Sequence, residues 1–152
     1  MGRVEHTVEI EALAPRVFFY LWPERVGAWY APENGTRMEV VSPGGIGPGA
    51  RIRVSGESRW DPRSYEAEVT DWEPPHTFGW RVVKGASPAE ISIRCEPVGA
   101  RTQVTIHDRY RLRPAILGLL VDRLFTGKRV AAVDRAAIEN LKALAEGRRG
   151  CA

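Results

Sequence analysis

The stretch Thr102–Glu146, TQVTIHDRYRLRPAILGLLVDRLFTGKRVAAVDRAAIENLKALAE, decides the fold. Its first part alternates apolar and polar side chains, as a half-buried β-strand does, and predicts a last strand over 102–112. After Pro114 the apolar residues recur at helical spacing, which predicts one long helix from Pro114 to about Glu146. That helix would be roughly 45–50 Å long at about 1.5 Å per residue. The side of the last strand that we expect to face the interior carries Val104, Ile106, Asp108 and Tyr110.

Upstream of this stretch, six more segments alternate in the same way and are separated by glycine- and proline-rich breakers. Between the first two of them, prolines bound two short helices, Arg16–Trp22 and Glu24–Tyr30. Strands joined by short turns pair antiparallel, and only the C-terminal helix is long enough to cover the resulting sheet. The pattern therefore predicts an α+β domain of two layers. The six strands are expected over 3–12, 38–42, 50–60, 65 to the break at 73–75, 76–83, and 91 to the turn at 97–100.

Length and composition indicate a globular protein with a single core. The chain has 152 residues, 43% hydrophobic and 27% charged, which predicts one domain over 1–147 and a short basic tail over 148–152. The longest apolar run, Ala115–Val121, is far shorter than the ~18–20 residues that span a bilayer. The N-terminus has no apolar stretch of the kind found in signal peptides. We therefore expect a cytoplasmic protein without membrane insertion.

Charge and cysteine usage favour neither nucleic-acid binding nor metal binding. Residues 113–152 hold eight Arg or Lys against four Asp or Glu, but the two signs are interleaved, as on a solvated helix face. Cys95 is expected to be a small buried hydrophobe, and Cys151 lies at the chain end. No His or Cys has a second ligand at metal-binding spacing. We expect no metal, no cofactor and no nucleic-acid partner.

Several short motifs, taken in order, resemble one known family. They are VEIEA at 8–12 with Pro15, a glycine-rich loop before Ala50-Arg51-Ile52, YEAEV at 65–69, EPP at 73–75, FGWR at 78–81, Glu96-Pro97, RTQVT at 101–105 and NLK at 140–142. Over about residues 3–146 the chain resembles the START-like or Bet v 1-like (SRPBCC) superfamily, in particular bacterial polyketide cyclase/dehydrase and lipid-transport proteins.

The resemblance implies a START-like ligand-binding domain with the helix-grip fold: a seven-stranded curved antiparallel sheet, two short helices after the first strand, and a long C-terminal helix over the sheet. It also implies a deep, mainly apolar cavity between sheet and helix. Relatives bind lipids, quinones, sterols or polyketide intermediates there, and some cyclise aromatic polyketides. No catalytic signature of such enzymes matches this chain residue by residue. From the strand parity and this implied cavity, the expected lining is Trp29, Tyr30, Ile52, Val54, Tyr65, Ala67, Val69, Phe78, Trp80, Ile91, Ile93, Ile106, Asp108, Tyr110, Leu117, Leu120 and Leu124.

Asp108 is the anomaly among these residues, because a carboxylate on an apolar face is costly unless it is paired or protonated. One interpretation is a general acid or base with a raised pKa. The other is that the strand twists or bulges there, so that Asp108 pairs with Arg109, Arg111 or another arginine at the cavity mouth. Tyr65 and Tyr110 share the inward parity and could hydrogen-bond a ligand carbonyl, although buried tyrosines more often bond to protein groups.

Three functions remain open on the sequence. The first is binding or carriage of a hydrophobic small molecule without catalysis. The second is a cyclase/dehydratase enzyme that uses Asp108 and a tyrosine for proton transfer. The third is a protein-interaction or chaperone-accessory module. A wholly apolar interior favours the first, and two or three converging polar groups favour the second. Outward apolar residues of the helix, such as Leu119 or Phe125, could serve a homodimer.

Overall fold

The computed structural model describes residues 2–57, 64–86, 88–111 and 119–147, with side chains from residue 127 onward in the last range. Strand β1 (Gly2–Ile10) is followed by helix α1 (Ala14–Phe19) and two 3₁₀ helices, η1 (Pro23–Ala28) and η2 (Pro32–Asn34). Six strands and one long helix complete the chain. They are β2 (Arg37–Val40), β3 (Arg51–Ser55), β4 (Tyr65–Glu73), β5 (Thr77–Lys84), β6 (Ala89–Val98), β7 (Arg101–Tyr110) and α2 (Leu119–Ala145).

All seven strands form one antiparallel sheet in the order β1-β7-β6-β5-β4-β3-β2. Neighbours in the sheet are neighbours along the chain, except that β1 closes the sheet against β7. The register of β7 is continuous on both sides: Asp108 stands opposite Val4 of β1 and Ile91 of β6. An irregularity in β4 lies between Val69 and Asp71. The helix-grip architecture expected from the sequence is confirmed.

Helix α2 covers the inner face of the sheet and contacts β1, β7 and α1. Its buried side chains recur at helical spacing, because one stripe of the helix faces the core. The inner residues of the strands alternate with exposed ones, so the inward parity predicted for the strands is confirmed. In the part of α2 whose side chains are described, the buried apolar residues are Ala137, Ile138, Leu141 and Ala145.

The short helices close one end of the sheet through aromatic packing. The Trp29 indole is buried and donates from Nε1 to the Tyr20 carbonyl at 2.7 Å. Asn140 of α2 donates from Nδ2 to the Trp29 carbonyl at 3.1 Å, which ties the long helix to this end. Gly27 lies so close to the Thr36 carbonyl that a Cβ there would collide with it. These contacts fix the segment and hold Tyr30, the residue after Trp29, toward the interior.

The helix boundaries differ from the sequence predictions. The first short helix begins at Ala14 rather than Arg16, because Pro15 suits a first helical turn, and it ends at Phe19. The second is a 3₁₀ helix over 23–28, with Pro23 in its first turn, followed by the unpredicted turn η2. The strand predicted over 50–60 ends earlier, at Ser55. The predicted start of the long helix at Pro114 and the basic tail lie outside the described residues.

On the outer face of the sheet, basic and acidic side chains pair across neighbouring strands. Arg53 faces Glu66 on the neighbouring strand at 3.5 Å, and Arg81 faces Glu68 at 3.6 Å. Such exposed pairs contribute little stability. Within the part of the chain that is described, no helix is both long and apolar enough to cross a membrane.

The buried stripe of α2 is tested by truncating Leu141, which is 1% exposed. We expect Leu141→Ala to lower the free energy of unfolding by about 2–5 kcal/mol, through lost apolar burial and the cavity left behind. Leu13 is 61% exposed, so Leu13→Ala is a matched control that should change it by less than about 0.5 kcal/mol. Urea unfolding measures both. A loss below 1 kcal/mol for Leu141→Ala would contradict the packing of α2 on the sheet.

Candidate functional site

Asp108 lies on the inner face of the sheet, near the end of β7. It is 6% exposed, and β7 runs through it without a bulge. The twist or bulge of the strand that was considered for Asp108 is therefore wrong. Arg109 points to the other face, where it reaches Glu90 at 3.8 Å, and Arg111 is exposed. Hydrogen bonding along both edges of β7 holds the Asp108 carboxyl in the apolar interior.

A second buried carboxyl, Asp134 of α2, faces Asp108 from the helix. It is 1% exposed and belongs to the same buried stripe as Ala137 and Ile138, three and four residues further on. Asp134 was not among the site residues predicted from the sequence. The signal was present, because an acid in phase with Ala131, Ala137, Ile138 and Leu141 must face the core.

The two carboxyl groups perturb each other. Burial raises the pKa of Asp108 above its usual range. The pKa of Asp134 is raised further, first by burial and then by the negative charge of Asp108. Two carboxylates brought together in a weakly polar interior cannot both ionise easily, so the pair as a unit retains a proton to higher pH than isolated aspartates do.

The pair has unsatisfied hydrogen-bonding capacity. Apart from the hydrogen bond that a shared proton makes between the two carboxyls, Oδ1 of Asp108 and both Oδ atoms of Asp134 are buried and make no hydrogen bond among the described residues. Nε1 of Trp80 is the fourth buried side-chain atom in this condition. Unpaired buried polar atoms are rare in folded proteins, and their gathering in one region marks a candidate site.

Three tyrosines surround the pair. Burial and then the nearby Tyr65 raise the pKa of Tyr30, with Asp134 and Asp108 adding to the rise. Burial raises the pKa of Tyr65 to about 12; the Trp80 indole opposes this rise and Asp108 adds to it. The phenols of Tyr30 and Tyr65 therefore stay protonated and can donate hydrogen bonds at neutral pH.

Tyr110 lies toward the rim of this region. Burial, followed by the charges of Asp108 and Asp134, raises its pKa. Its ring lies over Gly2, and a Cβ at Gly127 of α2 would be 3.1 Å from its hydroxyl oxygen. These two glycines let Tyr110 bridge β1 and the long helix.

A pocket of about 240 Å³ reaches this cluster between α2 and the segment after η1. Asp108, Asp134 and Tyr30 form its polar part, and Val130 and Val133 line it on the helix. Arg129 also lines it and is exposed at its rim. The pocket thus connects the surface with the paired carboxyls.

The other residues expected to line a cavity divide into three groups. Tyr110 lines a separate hollow of about 310 Å³ at the ends of β5, β6 and β7, together with Arg81, Arg109 and Arg111. Leu117 and the side chains of Leu120 and Leu124 lie outside the described residues. The apolar remainder is buried in the core below the carboxyl pair: Trp29, Ile52, Val54, Ala67, Val69, Phe78, Trp80, Ile91, Ile93 and Ile106.

His6 and Cys95 complete the inward-facing reactive groups. His6 donates from Nε2 to the Ala131 carbonyl of α2 at 3.1 Å. Cys95 is buried, as the sequence predicted, and burial raises its pKa to about 12, so it is an inert thiol. In the described ranges, no three His, Cys, Asp or Glu side chains are grouped closely enough to hold a metal ion.

Comparison with known proteins gives a family for this architecture. The family model described as "Polyketide cyclase / dehydrase and lipid transport" matches residues 1–146. No curated protein matches the sequence.

Solved structures of the same fold are similar over nearly the whole chain. The Zhui aromatase/cyclase from Streptomyces sp. R1128 is 21% identical, with a TM-score of 0.76, over 97% of this chain and 94% of that one. A conserved protein from Geobacillus kaustophilus is 14% identical, with a TM-score of 0.73, over 95% of each chain. The Aha1 dimer from Colwellia psychrerythraea is 17% identical, with a TM-score of 0.64, over 99% of this chain and 100% of that one. At these identities the likeness establishes the fold alone.

The burial of Asp134 makes stability depend on pH. The pKa of Asp134 is higher in the folded chain than in the unfolded chain. Between these two pKa values the folded state binds more protons than the unfolded state, so stability falls as pH rises through that range. We expect Asp134→Asn to unfold at a higher temperature than wild type at pH 8, by about 2–4 °C for each kcal/mol recovered. At pH 5 the difference in unfolding temperature between Asp134→Asn and wild type should be smaller. Calorimetry at both pH values measures it.

Glu139 is an exposed acid on the same helix, so Glu139→Gln serves as the control and should shift neither midpoint. If Asp134→Asn lowered the midpoint equally at pH 5 and pH 8, the ionisation of a buried pair would not be the cause.

Proposed function

Because the chain belongs to the polyketide cyclase/dehydrase and lipid transport family, we propose that it binds an apolar small molecule beside Asp108 and Asp134 and transfers protons on it. The reaction class is cyclisation or dehydration of a compound that carries carbonyl and hydroxyl oxygens. One observation carries the proposal: two buried carboxyls from different elements meet in the interior with unpaired oxygens.

A pair that shares one proton supplies both an acid and a base. Asp108, as the carboxylate, takes a proton from the carbon beside a ligand carbonyl. Asp134, as the acid, gives its proton to an oxygen. When that oxygen is the carbonyl, an enol forms; when it is a β-hydroxyl, the C–O bond breaks and water leaves. The proton on Asp108 then returns to Asp134, which restores the pair.

The tyrosines would orient the ligand. Tyr30 lines the pocket, and both Tyr30 and Tyr65 remain protonated donors because burial raises their pKa values. A phenol hydrogen-bonded to the ligand carbonyl would stabilise the negative charge that develops on its oxygen as the C–H bond breaks.

Carriage without chemistry is the second candidate, and the apolar core residues below the pair support it. In that case the pair would hydrogen-bond the ligand and transfer no proton. The interaction module and the homodimer remain predictions, since the dimeric Aha1 neighbour shares only the fold and the side chains of Leu119 and Phe125 are outside the described residues.

The two candidates are separated by proton exchange on a simple ketone. 2-Tetralone, a bicyclic ketone, exchanges its C1 protons through an enol, so the loss of their NMR signal in D₂O reports base catalysis. We expect the wild-type protein to accelerate the exchange and Asp108→Asn to lower the acceleration by at least about 100-fold, the usual contribution of general acid–base groups. Glu139→Gln, at an exposed position, should leave it unchanged.

Binding is followed in parallel by quenching of tryptophan fluorescence. Saturable binding of 2-tetralone with no acceleration of exchange would overturn the catalytic proposal in favour of carriage. Acceleration that survives Asp108→Asn would also contradict it, because the base would then lie elsewhere.

A further inference from the structure

Two buried tryptophans differ in what their indole N–H groups contact. Trp29 and Trp80 are each 1% exposed. Nε1 of Trp29 donates to the Tyr20 carbonyl at 2.7 Å, whereas Nε1 of Trp80 has no acceptor in hydrogen-bonding geometry among the described residues. A buried indole N–H usually finds a partner, because leaving it unpaired lowers stability. The unpaired donor of Trp80 therefore calls for an explanation other than packing.

Aromatic packing holds the Trp80 indole in one orientation. Its ring lies against Phe78, with centroids 4.9 Å apart, and Phe78 packs edge-on against Trp72 at 5.1 Å. Trp72 in turn packs edge-on against Phe18 of α1 at 5.3 Å. Strand β5, which carries Trp80, is hydrogen-bonded on both edges, to β4 and β6. The core therefore fixes the direction of the N–H before any ligand is bound.

Trp80 and Asp108 stand in one row across the inner face of the sheet. The register places Trp80 of β5 opposite Ile91 of β6, and Ile91 opposite Asp108 of β7. Residues directly opposite one another on neighbouring strands project from the same face. Two strand spacings, about 9–10 Å, separate the backbones at the two ends of the row. A ligand lying over Ile91 would thus meet the indole at one end and the carboxyl at the other.

The Tyr65 hydroxyl interacts with both ends of this row. The Trp80 indole opposes the rise that burial causes in the pKa of Tyr65, as a nearby hydrogen-bond donor does, and the charge of Asp108 adds to the rise. Tyr30, which lines the pocket, is near enough to Tyr65 for their charges to interact. Two donors, the Trp80 N–H and the Tyr65 O–H, therefore stand together near Tyr30 and the carboxyl that we assign as the base.

The long helix leaves this side of the inner face accessible from the pocket. Helix α2 makes its main contacts with β1 and β7, whereas Tyr65 and Trp80 belong to β4 and β5. The pocket between α2 and the segment after η1 reaches Tyr30 and Asp108. A ligand that enters there and extends past Tyr30 would bring its inner end to the two donors.

Resting on the proposed function for the location of the ligand, we propose that Trp80 Nε1–H and the Tyr65 hydroxyl together bind one carbonyl oxygen of the ligand. The ligand must then carry a carbonyl at its buried end, beside the carbon that Asp108 deprotonates. When Asp108 takes that proton, the C–H electron pair forms the C=C bond of an enolate. The π pair of the carbonyl moves onto its oxygen, where the two fixed donors stabilise the negative charge.

The hydrogen bond from Trp80 is observed directly by NMR of the indole groups in the ¹⁵N-labelled protein. The chain has five tryptophans, so single tryptophan-to-phenylalanine variants assign their signals. The probes are 2-tetralone and tetralin, which has the same two rings without the carbonyl. We expect 2-tetralone to move the Trp80 indole proton downfield and tetralin not to do so. The Trp29 proton, already bonded to the Tyr20 carbonyl, should stay in place with both probes.

Variants measure what the donor contributes. Trp80→Phe removes the N–H and keeps an aromatic ring, so it should weaken binding of 2-tetralone about three- to tenfold more than binding of tetralin. It should also lower kcat for proton exchange by about 100-fold, the usual effect of removing one donor to a developing oxyanion. Tyr65→Phe should likewise weaken binding of 2-tetralone more than that of tetralin. Trp72→Phe, in the same aromatic cluster, is the matched control and should change neither the ratio of the two Kd values nor kcat. Circular dichroism checks each fold.

The outcomes separate this inference from the proposed function. Equal movement of the Trp80 proton with both probes, or a ratio of Kd values unchanged in folded Trp80→Phe, would overturn the two-donor site while leaving proton exchange intact. A downfield shift specific to 2-tetralone without any exchange would support the donors and contradict the catalysis. If 2-tetralone did not bind to the folded wild-type protein, the ligand site would be contradicted, and this inference with it. The NMR measurement on the wild-type protein decides the matter even if Trp80→Phe fails to fold.

Discussion

The approach of Asp134 to Asp108 in the apolar interior is the constraint on which the rest of the site depends. Burying two carboxyls is costly unless they share a proton or find partners. The surrounding fold holds them there nevertheless: β7 is hydrogen-bonded on both edges, and α2 is anchored by Leu141 in the core and by Asn140 at the Trp29 carbonyl. The stability of the core therefore maintains an arrangement that the carboxyls alone would not favour. Such local strain is typical of sites that serve function rather than stability.

The architecture connects that constraint to chemistry. The strand contributes the carboxyl that we assign as the base, the helix contributes the acid, and the segment after η1 contributes Tyr30. Each group comes from a different element, so their spacing is set by tertiary packing. The pocket opens between two of these elements, at Val130 and Val133 of the helix. A ligand entering there would pass the exposed Arg129 and reach the two carboxyls.

The sequence predicted the fold well because its patterns are local. Period-two alternation and turn residues can be recognised within each strand and its neighbouring turns. The C-terminal helix is the only predicted element long enough to cover the sheet, so its position follows from its length. Asp108 was found because it interrupts an alternating strand. Asp134 was missed because its helix carries charges on most sides, and only its phase with Ala137 and Ile138 separates it from them. Tyr30, Tyr65 and Asp108 were expected to line one cavity, but their contacts with Asp134 were not predicted, since they join segments far apart in the chain. The helix ends differed where Pro15 and Pro23 set the first turn.

The central claim is that Asp108 and Asp134 titrate as one coupled pair that holds a proton near neutral pH. The most direct measurement is a pH titration of their side-chain carboxyl carbons by ¹³C NMR, with Asp108→Asn and Asp134→Asn used for assignment. The account predicts that both carbons titrate above the usual range of aspartate, that each shows two steps, and that removing Asp108 lowers the pKa of Asp134. Two independent single-step titrations near the ordinary aspartate value of about 3.9 would contradict it.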